Sequence, residues 1–399
     1  MFLKNLIKYN PNFVKSVVNL HQDDQIPPNS YVLDLDAIEK NAAVIAAESQ
    51  KLGLKVFPMT KQIGRNPKAM EVISRQGLDT YVAVNMACAL PIKKFGHQIG
   101  HLGHLVQIPK ADTDVGVRLE PHYWTVFNFE KANAVSDSCV KFKKIQKLLA
   151  RLYASGDTFY MGHEGGFPAE EVVTVAEELG KKMNCSFAGI TSFPTLLFDV
   201  KKNDVFLTPN MITLEKAAKA LRLAGFKDIE INAPGTTSTM VMKMLADAGA
   251  TQVEPGHGLT GSTPLHAVKE LPELPAMLYL SEISHIYTGK PFCFGGGLYI
   301  DPVFPEYDVK ALVSADASDI LRHPMSVKIP PSNAIDYYGI LSPKEGKAVH
   351  VGDSVIFGFR VQAFVTRAFI VPVSGISNGK PFVEGVYTSD GRKTNWPEW

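Results

Sequence analysis

The sequence predicts an α/β protein, a (β/α)8 TIM-like barrel followed by a mainly antiparallel β domain. Short apolar strands alternate with amphipathic helices from Tyr31 to His266, and about eight such units close a barrel of parallel strands. From Leu271 to Trp399, Gly, Pro and β-branched residues replace this helical periodicity. The predicted segments are an N-terminal extension (residues 1–30) packing with the β domain or at an interface, the barrel (31–268) and the C-terminal β domain (269–399).

The elements follow from the spacing of apolar residues along the chain. The predicted barrel strands are Tyr31–Asp36, Lys55–Thr60, Tyr81–Val84, His104–Ile108, Trp124–Phe127, Thr158–Met161, Phe187–Ile190, Asp228–Asn232 and Thr251–Glu254. The predicted helices are Ala37–Leu52 with Asp36 as its cap, Pro67–Gln76, Glu130–Tyr153, Pro168–Met183, Met211–Ala224 and Thr237–Ala248. In the β domain we predict strands at Met277–Leu280, Phe292–Phe294, Ser354–Phe359 and Ala368–Val373.

Composition favours a globular enzyme. Of 399 residues, 45% are hydrophobic and 20% charged, and the net charge of +1 gives no support for a nucleic-acid or membrane partner. The four scattered cysteines form no CxxC pair, which is typical of a reduced intracellular protein. The N-terminus is interrupted by Lys4 and Lys8, so we predict no signal peptide and a cytoplasmic location.

Lys61 is the residue that most narrows the function. It follows an apolar strand and precedes a predicted helix, which places its ammonium group at the carboxyl end of a parallel strand. A lysine at such a position can form a Schiff base with an aldehyde cofactor and release it to an amino-acid substrate. Most lysines are solvated surface charges, so the Schiff-base interpretation of Lys61 depends on the segments around this residue.

Three further segments follow predicted barrel strands. Asn232–Thr239 places Gly235, Thr236, Thr237 and Ser238 at the start of a helix, a good cradle for a phosphate group, although an ordinary polar cap gives the same pattern. Glu254 would point into the barrel mouth, and His257 and Gly258 would reach the same phosphate, or the segment is a capped turn. His163 and Glu164 lie among glycines, which a ligand site and a tight turn would both require.

The order of these motifs resembles the alanine-racemase-like, fold type III family of pyridoxal-phosphate enzymes. Tyr31–Asp36, Lys61, the Gly235–Thr237 loop and Glu254–His257 carry the resemblance, together with the later blocks Phe294–Pro302 and Val351–Phe357. The resemblance covers nearly the whole chain and is strongest to the YhfX-like branch.

The resemblance implies a role for each site residue. Lys61 would carry pyridoxal 5'-phosphate, the cofactor, and a group of residues would surround its phosphate and ring: His163, Gly235, Thr236, Thr237, Ser238, Glu254, His257 and Gly258. Glu254 stands where alanine racemases use an arginine against the pyridine nitrogen. A carboxylate there would hold that nitrogen protonated and make the ring a stronger electron sink. Basic amino-acid decarboxylases of the superfamily share the Glu-Pro-Gly form.

A second acid–base residue would come from the β domain of a partner subunit in this family. The segment Pro331–Gly339 resembles the one that supplies it, and it offers Asp336, Tyr337 and Tyr338. We favour Tyr337. The resemblance therefore implies a homodimer with composite active sites and a small-molecule amino-acid substrate.

Three histidines, His97, His101 and His104, invite a metal interpretation. The interleaved glycines do not place them on one rigid helix face, and no nearby cysteine or carboxylate completes a ligand set. We predict no metal.

The sequence therefore predicts a pyridoxal-phosphate-dependent amino-acid racemase or epimerase that acts through Lys61. An amino-acid decarboxylase or a D-amino-acid lyase of the same fold is the nearest alternative. A non-catalytic pyridoxal-phosphate carrier, and an unrelated barrel enzyme that uses Lys61 directly on a carbonyl substrate, are the alternatives of other classes.

Overall fold

The computed structural model describes residues 1–299, 307–322, 324–331, 333–343, 348–360 and 362–398. These residues form two compact units that are interleaved along the chain. The first, here called the β unit, comprises Met1–Ala43, Lys61–Arg75 and His257–Trp399, and the second, the barrel unit, comprises Val44–Thr60 and Gln76–Gly256. The boundaries after residues 30 and 268 stay predictions.

The helices and strands have the following bounds. The helices are α1 (Phe2–Tyr9), α2 (Pro11–Gln22), α3 (Leu35–Leu52), α4 (Pro67–Ser74), α5 (Met86–Lys94), α6 (Thr113–Arg118), α7 (Phe129–Phe142), α8 (Val172–Gly180), α9 (Pro209–Leu223) and α10 (Thr239–Asp247). The strands up to residue 253 are β1 (Ser30–Asp34), β2 (Lys55–Val56), β3 (Thr80–Ala83), β4 (Gln98–Leu102), β5 (Tyr123–Val126), β6 (Gln146–Tyr153), β7 (Phe167–Pro168), β8 (Cys185–Thr191), β9 (Leu196–Asp199), β10 (Asp204–Leu207), β11 (Glu230–Asn232) and β12 (Gln252–Val253). The later strands are β13 (Met277–Tyr287), β14 (Lys290–Phe294), β15 (Lys310–Ser314), β16 (Pro324–Lys328), β17 (Tyr338–Ser342), β18 (Ser354–Phe357), β19 (Phe369–Ser374) and β20 (Phe382–Val383).

The barrel unit is built around a sheet of parallel strands. Its strands neighbour one another in the order β2, β12, β11, β8, β6, β5, β4 and β3, and β7 pairs with β6 off this path. A parallel bridge from Met59 to Val82 joins the chain just after β2 to β3 and so brings the two ends of the series together. Their carboxyl ends therefore gather at one rim, where barrel enzymes place their chemistry.

The β unit contains a mainly antiparallel sheet in the order β14, β17, β16, β15, β18, β13, β1, β19 and β20. Helices α1 and α2 pack onto this sheet through an apolar core, because Phe13 and Val17 of α2 cluster with Leu280 and Ile356 of the sheet. The parallel barrel and the antiparallel domain together confirm the predicted fold class.

The first predicted barrel strand lies elsewhere. Strand β1 pairs antiparallel with β13 and parallel with β19, so it belongs to the β unit and not to the barrel. The predicted cap of α3 is also wrong: Asp34 Oδ1 accepts the Ala37 N–H at 3.0 Å, while Asp36 accepts the N–H groups of Gly375 and Ser377.

Two other barrel strands were predicted in the wrong place. The prediction of strands at His104–Ile108 and Thr158–Met161 is wrong, and the barrel uses β4 and β6 instead. The predicted helix Glu130–Tyr153 ends at Phe142, where Lys143 adopts a left-handed conformation with φ of 54°. Residues beyond it favour a helix by propensity, but burial in the sheet makes them strand β6.

Two predicted segments lie only partly within the described residues. Residues 300–302 of the block Phe294–Pro302 and residue 332 of Pro331–Gly339 lie outside the described residues. Within the described ranges, none of the helices is both long and apolar enough to cross a membrane.

Candidate active site

The predicted site residues divide between the two units. His163, Glu254 and the loop Gly235–Ser238 belong to the barrel unit, whereas Lys61, His257, Gly258 and Tyr337 belong to the β unit.

Glu254 is the centre of a buried polar cluster in the barrel unit. It directly follows β12 and is 3% exposed. His101 Nδ1 lies 2.6 Å from its Oε1, and His104 Nδ1 lies 2.9 Å from its Oε2. Asn232, the last residue of β11, donates from Nδ2 to Oε1 at 2.9 Å. All four residues lie in or just after barrel strands at their carboxyl ends, so the cluster occupies the rim expected of an active site.

The charge of Glu254 is set by its surroundings. Burial opposes its ionisation, but His104 and His101 outweigh burial and hold the pKa of the carboxyl well below its ordinary range. Glu254 is therefore a carboxylate at neutral pH. A buried carboxylate paired with imidazoles is the kind of group that can hold a protonated heterocyclic nitrogen.

The predicted phosphate loop precedes α10. Its Thr236 and Thr237 N–H groups donate to the carbonyls of Leu196 and Gly235, so these two amides serve the loop itself. Gly235 is required by packing, since a Cβ there would come 2.9 Å from Leu196. Ser238 is the N-cap of α10, and its buried Oγ has no hydrogen-bond partner within the described part of the chain.

Arg151 on β6 is a buried cation that sequence reasoning missed. Its guanidinium donates to the carbonyls of His104 and His163 at 2.9 and 2.8 Å. Burial lowers its pKa to about 10. The His163 ring packs against Phe193 with ring centroids 5.9 Å apart. Because Arg151 also binds the His163 carbonyl, it fixes the backbone of this histidine.

Lys61 lies in the β unit, where it is half-buried and Phe364 is its neighbour. Its Nζ is 5.6 Å from the centroid of the Phe364 ring, and its carbonyl accepts the Phe364 N–H at 3.2 Å. An ammonium above an aromatic face is held by the ring quadrupole, which orients the lysine side chain.

His257 is a second buried group of the β unit. Its Nδ1 lies 3.1 Å from Ser262 Oγ, and its buried Nε2 has no hydrogen-bond partner among the residues that the structure describes. Burial first, and then the positive charges of Arg360 and Lys61, lower the pKa of His257 well below its ordinary value. The imidazole is therefore neutral at physiological pH. Gly258 accepts the Gly261 N–H at 3.2 Å within the same turn.

The three residues weighed as the second acid–base group differ in availability. Asp336 accepts the N–H groups of Gly296 and Leu298 and pairs with Arg367 at 2.6 Å, so it stabilises a turn. Tyr338 packs edge-on against a histidine ring. The side chain of Tyr337 is 66% exposed, which leaves its phenol the most accessible of the three.

A carboxylate completes the histidine set after all. His101, His104 and Glu254 offer ligand atoms within 4.8 Å of one another, so the expectation that none completes the set is wrong. His97 lies apart from them and packs on Tyr81.

Sequence reasoning missed His101 and His104 as partners of Glu254. It missed them because the strand was placed at His104–Ile108, two positions beyond the end of β4. The signal in the sequence was the short run Gln98–Leu102 between Gly96 and Gly103, which favours a strand that contains His101.

This fold defines a class of protein, a parallel barrel of the alanine racemase type with an antiparallel β domain. The chain belongs to the family described as "Alanine racemase, N-terminal domain", whose model matches residues 33–264, and a model described as "YhfX-like, C-terminal domain" matches residues 278–383. The predicted family is thereby confirmed.

The relatives agree with this assignment. The chain is 36% identical to an uncharacterised protein, YhfX, of Escherichia coli K12, over 98% of this chain and 99% of that protein. A D-threonine aldolase from Filomicrobium marinum has a similar structure (TM-score 0.70, 16% identity, 92% and 96% of the chains covered). An alanine racemase from Clostridium difficile 630 in complex with cycloserine is also similar (TM-score 0.64, 17% identity, 91% and 99% covered). At these identities the two structures establish the fold alone.

Proposed function

We propose that this protein is a pyridoxal-phosphate-dependent enzyme that acts at the α-carbon of an amino acid, as a racemase or epimerase. The observation that carries the proposal is the buried, ionised carboxylate of Glu254 at the rim of an alanine-racemase-type barrel. His104 and His101 hold this carboxyl in its charged form, and a charged carboxylate is the acceptor that suits a protonated pyridine nitrogen. The D-threonine aldolase and the alanine racemase of similar structure are named for reactions of amino acids, which supports the class.

The chain's own polar groups fit this cofactor. Ser238 Oγ and His257 Nε2 are buried without a hydrogen-bond partner among the described residues, and such groups are costly unless a ligand satisfies them. A hydroxyl at the start of a nine-residue helix and a neutral imidazole that can donate from Nε2 both suit a phosphate group. Thr236, Thr237, Gly235 and Gly258 are proposed to line the same phosphate site, and His163 to face the cofactor.

Bound pyridoxal phosphate supplies an aldehyde for attachment and a ring that stabilises negative charge at the substrate's α-carbon. Lys61 provides the amine that holds the aldehyde. The same Nζ would remove or return the α-proton of the substrate from one side. Glu254, as a carboxylate, would accept a hydrogen bond from the ring N–H. Tyr337 of a second copy is proposed to exchange the proton on the opposite side.

A decarboxylase or D-amino-acid lyase is the second candidate. It is favoured by Glu254 itself, because a fully protonated ring is a strong electron sink and supports loss of carbon dioxide or a side-chain fragment as well as loss of a proton. A pyridoxal-phosphate carrier without turnover, and a barrel enzyme that uses Lys61 without this cofactor, are the candidates of other classes.

The test is a screen of the purified protein, loaded with pyridoxal phosphate, against D- and L-amino acids in deuterium oxide. A racemase exchanges the α-proton and inverts the chirality of a substrate. Release of carbon dioxide, or of a keto acid or aldehyde, would instead assign the decarboxylase or lyase. Cofactor binding without turnover of any amino acid would contradict the proposal and favour the carrier.

The partners follow from the same proposal. We expect a small-molecule amino-acid substrate and a homodimer whose sites are completed across the subunits. A nucleic-acid or membrane partner is not expected, and the cytoplasmic location stays a prediction.

A further inference from the structure

The two carboxylate oxygens of Glu254 are not equivalent. Oε1 accepts from Asn232 Nδ2 at 2.9 Å and from His101 Nδ1 at 2.6 Å, which fills its two lone-pair directions. Within the described part of the chain, Oε2 has His104 Nδ1 at 2.9 Å as its ion-pair contact, which leaves one of its two lone-pair directions open. Oε2 therefore retains capacity to accept a hydrogen bond.

The groups that contact the Glu254 carboxylate are themselves held in place. His101 Nε2 is hydrogen-bonded to Thr125 Oγ1 on β5, so both nitrogens of this ring have partners and the ring cannot turn freely. Thr191 Oγ1 donates to Asn232 Oδ1 at 2.8 Å, which fixes the amide so that Nδ2 faces Glu254. The rings of His101 and His104 are stacked with centroids 5.3 Å apart. The carboxylate is thus oriented by a network drawn from several barrel strands.

The same residues could be read as a metal site, but the distances favour hydrogen bonds. Two ligand atoms on a tetrahedral zinc ion stand about 3.3 Å apart, given metal–ligand bonds of about 2.0 Å. The nitrogen–oxygen separations here are 2.6 and 2.9 Å, which are the lengths of charge-assisted hydrogen bonds and close ion pairs. Thr125 also occupies the other nitrogen of His101.

We propose that His101 and His104 are positioning residues that hold the Glu254 carboxylate so that Oε2 can accept a hydrogen bond from the protonated ring nitrogen of the cofactor. This inference rests on the proposed function. The pair acts through Glu254: both imidazoles lower the pKa of its carboxyl, and His101 with Asn232 fixes the direction in which Oε2 points. Without them the buried carboxyl takes up a proton and no longer stabilises the protonated ring.

The test compares disruptive and conservative variants at both histidines. His101→Phe and His104→Leu remove the imidazole, while His101→Asn and His104→Asn keep a donor near the Nδ1 position. We expect the disruptive variants to bind pyridoxal phosphate about tenfold to a hundredfold more weakly, the loss expected for hydrogen bonds to a buried charge. We also expect the pH midpoint of the cofactor's visible absorbance to shift in the direction given by Glu254→Gln. The Asn variants should recover most of both properties.

His97→Phe is the matched control, because His97 lies in the same segment but packs on Tyr81. It should change neither the affinity for the cofactor nor the absorbance. Circular dichroism and thermal unfolding identify any variant that fails to fold, and the other histidine then decides. Spectra and affinities of His101→Phe and His104→Leu that equal those of the unsubstituted protein, while Glu254→Gln differs, would overturn the inference.

Two further outcomes separate this inference from its rivals. One equivalent of Zn²⁺ or Co²⁺ bound by the unsubstituted protein and lost in His104→Asn would overturn it in favour of a metal site. If the unsubstituted protein fails to bind pyridoxal phosphate at all, the proposed function fails, and the inference falls with it. Binding by the unsubstituted protein with no effect of the histidine variants overturns the inference alone.

Discussion

At the scale of single residues, Glu254 shows how this chain accommodates a buried charge. A carboxylate removed from water costs several kcal/mol unless its oxygens are paired. Here the lost solvation is replaced by contacts with His101, His104 and Asn232. Asn232 ends β11, and Glu254 follows the neighbouring strand β12. The residues responsible are far apart in the sequence, so only the barrel brings them together.

Lys61 is the residue whose loss should be most damaging. We expect Lys61→Ala to fold normally and to lose activity about a hundredfold to ten-thousandfold, because the variant lacks both the attachment point and the proton-transfer group. The measurement is steady-state turnover of the best amino acid found in the screen. Lys55→Ala is a control of the same type, since Lys55 pairs with Glu230 away from the proposed chemistry and should leave turnover unchanged. Full activity of Lys61→Ala would contradict the assignment.

At the scale of elements, the start of α10 has a polar group that suits a bound ligand but lowers the stability of the ligand-free protein. The Ser238 hydroxyl is buried, and no partner for it exists in the described ranges. We expect Ser238→Ala to leave the protein as stable as before, or more stable by about 1 kcal/mol, because an unsatisfied group is removed. The same variant should bind pyridoxal phosphate about tenfold more weakly. Urea unfolding without cofactor and a fluorescence titration measure the two effects.

Ser136→Ala is the matched control for this prediction. The Ser136 hydroxyl on α7 donates to the Met183 carbonyl at 2.8 Å, so its removal should destabilise the protein by about 1 kcal/mol without changing cofactor affinity. Equal effects of the two substitutions on both measurements would show that Ser238 has no ligand-binding role.

The start of α3 gives a prediction about pH. Burial raises the pKa of Asp34 from 3.8 to about 6, although Asn10 and the Ala37 N–H donate to it. A raised carboxyl pKa means that this contribution to stability is present below pH 3.8 and lost as the pH rises through about 6. The difference corresponds to about 3 kcal/mol. Asp34→Asn should therefore gain stability over the unsubstituted protein between about pH 4 and about pH 7 in urea unfolding.

Asp36, in the same helix, should give a pH dependence of stability with the opposite sign. Burial would raise its pKa, but the hydrogen bonds from Ser377 and Gly375 prevail and lower it. Asp36→Asn should therefore lose stability relative to the unsubstituted protein as the pH rises toward 3.8, and the deficit should stay constant at higher pH. A pH dependence of the same sign for both variants would refute this account of α3.

Some elements could be predicted from the sequence and others could not. Strands such as β8 and β19 were predicted because β-branched and aromatic residues lie between turn residues. Strand β6 was predicted as part of a helix, because Lys147 to Arg151 contains good helix formers and only burial in the barrel overrides that preference. The partners of Glu254 could not be predicted, since a contact over 153 positions depends on the closure of the barrel.

At the scale of the whole molecule, the order of motifs predicted the barrel, the β domain and the family, all of which are confirmed. Strand β1 was wrongly given to the barrel, because an apolar strand followed by a helix looks the same in the sequence whichever sheet it joins. Local patterns therefore specify the type of an element more reliably than its partners.

The proposed composite sites give a prediction about assembly. Mixed dimers of Lys61→Ala with Tyr337→Phe should contain one intact site, so co-expression should restore about a quarter of the unsubstituted activity, although each variant alone is weak. Light scattering of the unsubstituted protein checks the dimer. Full activity of a monomer, or a mixture no more active than its components, would contradict composite sites.

The most direct test of the central claim is to load the protein with pyridoxal phosphate, reduce it with borohydride and map the modified peptide by mass spectrometry. We expect a visible absorbance band that reduction abolishes, with the cofactor fixed on Lys61 and on no other lysine, and no stable modification in Lys61→Arg. Absence of the band, or modification spread over surface lysines with Lys61 unlabelled, would contradict it.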